Sequence, residues 1–237
     1  MKLTLKEIRS ETKEAATFIF TLDIPIGYLS GQHVSIIVPI EAPDERGKVR
    51  TFTISSSPTQ EGIITITTKR GPSSFKQTLF SLPIGSAIEA RGPTGSMTLD
   101  ESDNRLRVMI AGGIGITPFR SILKYAFDKK LNLPITLLYS NKTPEEIVFR
   151  AELDEIASKL PSVKIIHTIT HLEESKEKWE GRTGRVDETM IKEVAPDLTN
   201  TLFFIAGPTA MVEAMIELLK GLTIPNENVK FEKFSGY

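Results

Sequence analysis

Short segments in which apolar and polar residues alternate fill the first 99 positions, and glycine or proline separates most of them. Alternation places successive side chains on opposite faces of a β-strand. Strands this short, divided by turn residues, are typical of a small antiparallel barrel or sandwich. A helix from Ser73 or Ser74 to about Leu82 interrupts them. The predicted strands are Leu3–Ile8, Ala16–Leu22, His33–Val38, Val49–Ser55, Ile63–Thr68 and Ala87–Ala90.

The pattern changes after the polar stretch at residues 100–104, where apolar strands begin to alternate with helices. Val108–Ala111 is uniformly apolar, as expected of a strand that is buried on both faces. Alternating strands and helices predict a parallel α/β sheet. We therefore predict two domains, 1–102 and 103–237. The further strands of the second domain are Pro134–Tyr139, Val163–Ile169, Leu202–Ala206 and Val229–Phe231.

Two helix starts in the second half carry recognisable signals. Thr117 is the predicted N-cap of a helix that has Pro118 at its first position and runs to about Lys129. Thr143-Pro144-Glu145-Glu146 has the form of a capping box and predicts that the next helix opens there. A last helix is predicted to follow the turn at Gly207 and to end near Leu219.

Composition narrows the function. The chain has 237 residues, of which 40% are hydrophobic besides 16 glycines, as is typical of a globular protein with a core. A net charge of −1 argues against a general nucleic-acid binder. No apolar run approaches the roughly 20 residues of a membrane helix, and the N-terminus lacks the apolar core of a signal peptide. We expect a cytoplasmic monomer that neither binds nucleic acid nor inserts into a membrane.

Several kinds of site are excluded or unsupported. The chain contains no cysteine, which excludes disulfides, thiolate zinc sites, thiol nucleophiles and a cysteine-ligated iron–sulfur cluster within it. The histidines at 33, 167 and 171 show no ligand spacing, so no metal site is predicted. The Gly-x-Ser-x-Gly elbow of an α/β hydrolase is absent as well.

Arg50-Thr51-Phe52-Thr53 is a strand segment that combines an arginine, an aromatic ring and hydroxyl groups. A guanidinium pairs with phosphate, a ring packs on a flat ligand, and a hydroxyl bonds to a ring heteroatom. These residue types together suit a flat, phosphorylated ligand. Ser55-Ser56-Ser57-Pro58 follows after Ile54.

Gly71-Pro72-Ser73-Ser74 leads into the helix of the first half, after Thr68 and Lys69 at the end of a strand. Glycine lets the backbone approach a ligand, and serine is a favoured N-cap. A helix N-terminus also offers free N–H groups and partial positive charge. This segment is a candidate pyrophosphate site, although an ordinary capped helix after a turn has the same sequence pattern.

Gly112-Gly113-Ile114-Gly115-Ile116-Thr117-Pro118 joins the first strand of the second half to its helix. A glycine loop between a strand and a helix suits phosphate binding. It is not the usual dinucleotide fingerprint, because Pro118 stands where the third glycine belongs. No Gly-Lys-Ser/Thr follows, which excludes a P-loop.

In this order the motifs resemble those of the ferredoxin–NADP reductase family. Arg50–Thr53 is similar to its Arg-x-Tyr/Phe-Ser/Thr flavin motif, and Gly71–Ser74 to its Gly-x-x-Ser/Thr helix start. Gly112–Pro118 matches its nicotinamide-nucleotide loop. Gly184-Arg185, and the Gly207-Pro208-Thr209-Ala210-Met211 turn, match later segments. The resemblance implies a β-barrel domain that binds FAD, or FMN as in some relatives, followed by an α/β domain that binds NADPH or NADH.

The resemblance also implies how these residues act. Hydride would pass from the nicotinamide to flavin N5, with Arg50 on the flavin phosphate, Phe52 packed on the ring system and the Thr53 hydroxyl at N5. The pyrophosphate would lie against the segment that contains Thr68, Lys69, Gly71, Ser73 and Ser74. The nicotinamide dinucleotide would contact Gly113, Gly115, Thr117 and Pro118, with Gly207, Pro208 and Met211 around the nicotinamide.

The chain departs from the family at one position and matches it in its final residue. Most relatives have a cysteine before the Gly-Pro turn, where this chain has Ala206. The loss of that thiol leaves the turn intact but removes a group that lies near the nicotinamide. Tyr237 is the last residue, and in plant-type members a terminal aromatic covers the flavin and moves aside for nicotinamide. An unimportant chain end is the equal alternative for Tyr237.

The donor nucleotide depends on residues after the second α/β strand. This strand ends near Ser140-Asn141-Lys142, without the acidic residue that usually grips the ribose hydroxyls of NAD. Lys142, together with Arg182 or Arg185, is a candidate for contact with a 2′-phosphate. They favour NADPH over NADH.

The electron acceptor is left open. Because the chain has no cluster of its own, electrons must go to a separate carrier, such as ferredoxin or flavodoxin, or to a small molecule. One alternative is an NAD(P)H:flavin reductase that uses flavin as a dissociable substrate. Another is an electron-transfer subunit or flavin-binding sensor that works only within a larger complex. Turnover by the isolated chain separates the last class from the two enzymes.

Overall fold

The computed structural model describes residues 1–234 as two six-stranded sheets that follow each other along the chain. The first sheet is antiparallel throughout and the second is parallel throughout. The predicted fold class is therefore confirmed. The boundary between residues 102 and 103 stays a prediction.

The first sheet has the strand order β4-β3-β6-β1-β2-β5 and curls into a barrel. Its two edge strands meet through a bridge between Ile54 and Ile66. Its elements are β1 (Lys2–Ser10), β2 (Ala15–Leu22), β3 (His33–Ile37), β4 (Val49–Thr53), β5 (Ile63–Lys69), α1 (Ser74–Ser81) and β6 (Ala87–Thr94).

Alternation along these strands builds the barrel core. Leu3 and Leu5 of β1, with Phe18 and Phe20 of β2, point inward and are fully buried or nearly so. Helix α1 packs against the same core through Phe75 and Leu79. The residues between them point outward, and on β2 and β5 that outer face is turned towards the second half of the chain.

The second sheet has the order β10-β9-β8-β7-β11-β12, with helices on both faces. Strand β7 is buried along its whole length, as its apolar sequence predicts. The elements are β7 (Arg107–Gly112), α2 (Ile116–Asp128), β8 (Ile135–Asn141), α3 (Arg150–Lys159), β9 (Val163–Ile169), β10 (Arg182–Thr183), α4 (Glu188–Val194), β11 (Leu202–Pro208), α5 (Thr209–Gly221) and β12 (Val229–Phe234).

Two of the predicted helix starts are wrong. Helix α2 begins at Ile116 with Gly115 as its cap residue, and Thr117 is buried inside the first turn, where its hydroxyl donates to Ile114 O at 3.2 Å. Residues 144–146 form only a 3₁₀ turn, and α3 begins at Arg150 after Phe149, whose φ is +62°. The second start fails because Glu146, the acidic residue of the predicted capping box, forms an ion pair with Lys69.

Candidate functional site

A cleft of about 340 Å³ opens where the barrel meets the α/β half. Its walls carry cations, hydroxyl groups and three phenylalanine rings, a combination that suits a flat ligand with phosphate groups. We call it the flavin cavity, for the ligand considered below. Its lining residues are His33, Arg46, Arg50, Thr51, Phe52, Thr53, Thr67, Ser73, Phe75, Lys76, Thr117, Glu232, Lys233 and Phe234.

Strand β4 brings the four residues of the predicted flavin motif to this cavity. Arg50, Thr51, Phe52 and Thr53 all line it, because β4 is an edge strand that runs along the cavity. Phe52 also lies against Phe75 of α1, with ring centroids 5.8 Å apart. The sequence prediction that these residues act together therefore has matching geometry.

The guanidinium of Arg50 is held by the loop before its own strand. Its Nη1 donates to three carbonyl oxygens, those of Arg46, Gly47 and Val49, at 2.6–3.0 Å, and Nη2 donates to Asp44 Oδ1 at 2.9 Å. Partial burial opposes ionisation of Asp44, but hydrogen bonds from Arg50 and from the Arg46 N–H lower the pKa of this carboxyl. Arg50 is thus fixed at the cavity wall before any ligand arrives.

Helix α1 presents its N-terminus to the same cavity. Ser73 caps it, since its hydroxyl accepts from the Lys76 N–H at 3.3 Å, as the sequence predicts. The ammonium group of Lys76 lies beside Gly71, where an added Cβ would come 2.9 Å from Lys76 Cδ. Burial and the charges of Arg46 and Lys69 lower the pKa of Lys76 to about 8. An anion bound here would meet cations and a helix N-terminus together.

The glycine loop after β7 is shaped by two different constraints. Gly113 has φ of +52°, a left-handed conformation that glycine adopts without strain. Gly115 packs directly on β11, because an added Cβ would lie 2.1 Å from Ala206 O. The Tyr139 hydroxyl group supports the loop. It donates to Gly113 O at 3.0 Å and accepts from the Val148 N–H.

The turn after β11 lies against the same loop. A Cβ at Gly112 would come 2.2 Å from Met211 Sδ and 3.1 Å from Pro208 Cδ. Gly207 is likewise within close contact of Gly112. The loop and the turn, predicted separately from sequence, are neighbours at the carboxyl ends of β7 and β11.

Helix α2 docks the two halves onto each other. The buried Arg120 donates to Ser55 O at 2.7 Å and forms a two-pronged ion pair with Glu152 of α3. Ser121 donates to Ser56 O at 2.6 Å and accepts from the Gly31 N–H at 3.3 Å. Most of these contacts reach backbone groups of the barrel.

The other predicted site residues lie around the cavity rather than in its wall. Lys69 forms an ion pair with Glu146 at 2.7 Å, and its Nζ lies beside Gly113. Thr68 is fully buried, and strand alternation turns its side chain towards the barrel core, away from Thr67 and the cavity. Ser74 accepts from the Asp44 N–H at 3.0 Å. Pro118 is buried in the first turn of α2.

The predicted nucleotide-phosphate residues share one edge of the second sheet. Ser140 is half-buried near the end of β8, Lys142 is exposed just beyond it, and Arg185 is exposed after β10. The His171 N–H donates to Lys142 O at 2.9 Å, so this segment is tied to the end of β9. Tyr237 lies outside the described residues.

Sequence reasoning missed several residues that line or support the cavity. Arg46, Lys76 and Thr67 lie in its wall, and Tyr139 supports the glycine loop. Lys76 is the third residue after the cap Ser73, which was the one available signal, since first-turn residues lie close to a bound anion. Nothing in the sequence marks Arg46 or Tyr139, because tertiary packing alone brings them here.

Family models match both halves of the sequence. Residues 2–99 match the Oxidoreductase FAD-binding domain and residues 109–217 match the Oxidoreductase NAD-binding domain. The two matches follow each other in the order of the two sheets. The chain belongs to the ferredoxin–NADP reductase family. Its first half is therefore an FAD-binding domain and its second half an NAD(P)H-binding domain.

Two relatives of this chain are longer proteins. The chain is 30% identical over 218 residues to the glycine betaine monooxygenase reductase subunit of Chromohalobacter salexigens, covering 90% of this chain and 58% of the relative. It is 34% identical over 207 residues to NADH-cytochrome b5 reductase 1 of Mortierella alpina, covering 85% and 65%. The chain thus spans about 60% of the length of these two relatives.

A solved structure of similar size has the same fold. The flavohem-like FAD/NAD binding domain of nitric oxide dioxygenase from Vibrio cholerae superposes with a TM-score of 0.85. Identity is 19%, and the match covers 99% of this chain and 98% of that one.

The residues around the cavity fit FAD. Arg46, Arg50, Lys76 and the capped end of α1 supply positive charge for its phosphates, and Phe52 and Phe75 supply an apolar surface for its rings. Within residues 1–234 no three His, Asp or Glu side chains converge as a metal site. No helix in that same range is long and apolar enough to cross a membrane.

Proposed function

We propose that this reductase takes electrons from NAD(P)H through bound FAD and passes them to a separate one-electron carrier. One observation carries the proposal: Thr53 of the flavin motif and Thr117 of the nucleotide loop line the same cavity. Flavin and nicotinamide bound to the two motifs would therefore meet. FAD when bound supplies a ring that accepts two electrons as hydride and releases them singly.

The chain itself supplies position and electrostatics. Arg50 and Lys76 bind the flavin phosphates, and Arg50 needs no reorganisation because the loop at residues 44–49 already holds its guanidinium. Phe52 would pack on the ring system, and the Thr53 hydroxyl would hydrogen-bond at the ring edge. Gly113 and Gly115 let the nucleotide approach the backbone, while Pro208 and Met211 bound the nicotinamide side.

The acceptor belongs to the proposal as well. The relatives named above are the reductase subunit of a monooxygenase and a cytochrome b5 reductase, and both names refer to a protein that receives the electrons. Residues 1–102 carry six Lys and five Arg against eight Glu and three Asp, so no bulk charge selects an acidic or a basic partner. We propose a protein carrier and NADPH as donor, the latter from the exposed Lys142 and Arg185.

The test starts from the visible spectrum of the purified, desalted protein, followed by anaerobic titration with NADPH and with NADH. We expect a stoichiometric flavin spectrum that either nucleotide bleaches, with NADPH faster. The reduced protein is then mixed with ferredoxin, flavodoxin or cytochrome b5.

Other outcomes would replace the proposal. A colourless protein that reduces added flavin would make this chain a flavin reductase with flavin as substrate. Bound flavin that neither nucleotide reduces would make it an electron-transfer subunit or sensor. A Lys142→Ala variant with unchanged NADPH preference, compared with the exposed Lys164→Ala as control, would remove Lys142 from nucleotide selection.

A further inference from the structure

A row of buried hydroxyl groups connects the flavin cavity to a second cleft. Thr17 of β2 and Thr67 of β5 face each other in the sheet register, with their Oγ1 atoms 2.9 Å apart. The Thr17 hydroxyl also contacts Glu11 Oε1 at 2.6 Å. Thr67 lines the flavin cavity, whereas Glu11 lines the second cleft. Both threonines are only 4% exposed.

The hydrogens in this row can point in only one direction while Glu11 is ionised. A carboxylate only accepts hydrogen bonds, so the single hydroxyl hydrogen of Thr17 must be donated to Glu11. Thr17 then has no hydrogen left for Thr67, so the Thr67 hydroxyl must donate to Thr17. The lone pairs of Thr67 remain as acceptors on the side of Ser55 and of the cavity.

Glu11 is a suitable end point for a proton. The second cleft has a volume of about 460 Å³ and lies between the barrel and helices α2 and α3. Burial raises the pKa of Glu11, Glu152 acts in the same direction, and the Thr17 hydrogen bond, Arg9 and Arg120 oppose it. Arg150 of α3 is the remaining charged residue that lines this cleft. The half-buried carboxyl group therefore exchanges protons with solvent in this cleft.

The proposed reaction requires a proton to leave the flavin cavity. Oxidation of one NAD(P)H by two one-electron acceptors gives NAD(P)⁺, two reduced acceptors and one proton. Hydride brings that proton into the cavity together with both electrons. When the electrons have gone to the acceptors, the proton must be released to water.

We propose that Thr67, Thr17 and Glu11 form the path by which this proton leaves the flavin cavity. The inference rests on the proposed function. Thr67 takes a proton on its cavity side while its own hydroxyl hydrogen passes to Thr17. Thr17 passes its hydrogen to the Glu11 carboxylate, which becomes a carboxylic acid. The acid releases the proton to water in the second cleft, and the hydroxyl groups rotate back.

The structure provides a matched control in the same row of hydroxyl groups. Ser55 bonds to Thr67 and to Thr65, each with 2.8 Å between hydroxyl oxygens, so Thr65 forms a side branch. Thr65 also lines the second cleft, but this branch contains no group that ionises near neutral pH. Thr65→Val therefore removes one hydroxyl group from the row, as Thr17→Val does, but leaves the path to Glu11 unbroken.

The test compares Thr17→Val and Glu11→Gln with Thr65→Val and with the conservative Thr17→Ser. None of the three substituted positions lines the flavin cavity. Thr67, which does line it, is left unchanged. The FAD-loaded proteins are photoreduced without nucleotide and mixed with ferricyanide in weakly buffered solution that contains a pH indicator. Flavin absorbance reports electron release, and the indicator reports proton release. Thermal melting checks that each variant is folded.

We expect proton release to slow by about 10-fold or more in Thr17→Val and Glu11→Gln, with a larger solvent isotope effect, and to stay within about 2-fold of wild type in the two controls. In the flavin-free protein, carboxyl NMR of Glu11 should show a higher titration midpoint in Thr17→Val than in Thr65→Val. That second measurement reports the contact without any turnover.

Unchanged proton release in Thr17→Val and Glu11→Gln would overturn the path and mean that protons leave through the mouth of the cavity. Equal slowing in Thr65→Val would also overturn it, since loosening of the row of hydroxyl groups would then explain the effect. Because photoreduction needs no nucleotide, failure of NAD(P)H to bleach the flavin would count against the proposed function and leave the path supported or overturned by these rates alone.

Discussion

Thr51 and Thr53 lie two residues apart on β4 and both line the flavin cavity, but their surroundings differ. Thr53 is 6% exposed, whereas Thr51 is exposed and its hydroxyl is 2.8 Å from that of Ser35. We predict that Thr53→Ala retains flavin and slows its reduction by about 10-fold, equivalent to about 1.4 kcal/mol in the barrier. Thr51→Ala should leave the rate unchanged. Anaerobic single-turnover mixing with NADPH measures both; an unchanged rate in Thr53→Ala would remove Thr53 from the mechanism.

Two glycines of the nucleotide loop should respond differently to the same added methyl group. At Gly115 the methyl would overlap Ala206 O at 2.1 Å, and backbone atoms cannot move aside cheaply. We expect Gly115→Ala to lower the free energy of unfolding by about 3 kcal/mol. Gly113→Ala meets no close atom and should cost only about 1 kcal/mol for its left-handed backbone. Urea denaturation measures the two; equal losses would mean that contact with β11 does not constrain the loop.

At the scale of elements, the N-terminus of α1 should make flavin binding pH-dependent. Lys76 has its pKa lowered to about 8 from 10.5 in the unliganded protein, and bound phosphate would raise it again. Flavin binding should therefore take up a proton, and FAD affinity should fall as pH rises through about 8, by up to about 10-fold per pH unit. Without flavin, the free energy of unfolding should rise between pH 8 and 10.5. In that range Lys76 keeps its proton in the unfolded chain but loses it in the folded protein.

FAD titrations at a series of pH values measure the slope, and Lys76→Met should abolish it. The control is Lys48→Met, at an exposed lysine just before β4, and this variant should keep the slope. An equal slope in Lys76→Met would assign the pH dependence to another group.

The predicted helix starts are correct where the residues that determine the start lie close together in the sequence. Ser73 caps α1 as its sequence indicates, since serine, helix and cap bond are all local. The start of α2 was misplaced because Gly115 must approach Ala206, a residue 91 positions later, and the chain tightens into a 3₁₀ turn before the helix. The capping box at Thr143 failed because Glu146 pairs with Lys69 of the barrel. Both contacts join residues that are far apart in the sequence, so no local sequence pattern predicts them.

At the scale of the whole molecule, Arg120 should contribute most to the docking of the two halves. Arg120 and Arg150 each pair with a glutamate and each lie over an aromatic ring, at 5.2 and 5.4 Å. Arg120 is buried and also reaches Ser55 O, whereas the Arg150–Glu177 pair is 41% and 48% exposed. Arg120→Ala should destabilise the protein by about 3 kcal/mol and Arg150→Ala by less than about 1 kcal/mol.

Calorimetric or denaturant unfolding compares the two variants, and limited proteolysis should cut Arg120→Ala between the halves. Equal stability in both would mean that the apolar contacts of α2, not Arg120, hold the halves together.

The fold as a whole could be predicted because two periodicities, one per half, divide the chain at residues 100–104. The cavity could be predicted only in part. Arg50, Phe52, Thr53 and Ser73 carry their chemistry in local motifs, but Lys76, Thr67 and Tyr139 acquire theirs from neighbours in space.

The docking of α2 onto the barrel has a consequence for protein engineering. The barrel offers the carbonyl oxygens of Ser55 and Ser56 and the N–H of Gly31, groups that every residue type provides, apart from proline for the N–H. Three barrel side chains also take part: Gln60 accepts from Arg120 at 3.2 Å, Thr59 donates to Asp128 of α2, and Lys69 pairs with Glu146. Hybrid reductases that join this α/β half to the barrel of a distant relative should assemble correctly provided that the backbone course and these three barrel side chains are kept, which would make the two halves exchangeable parts.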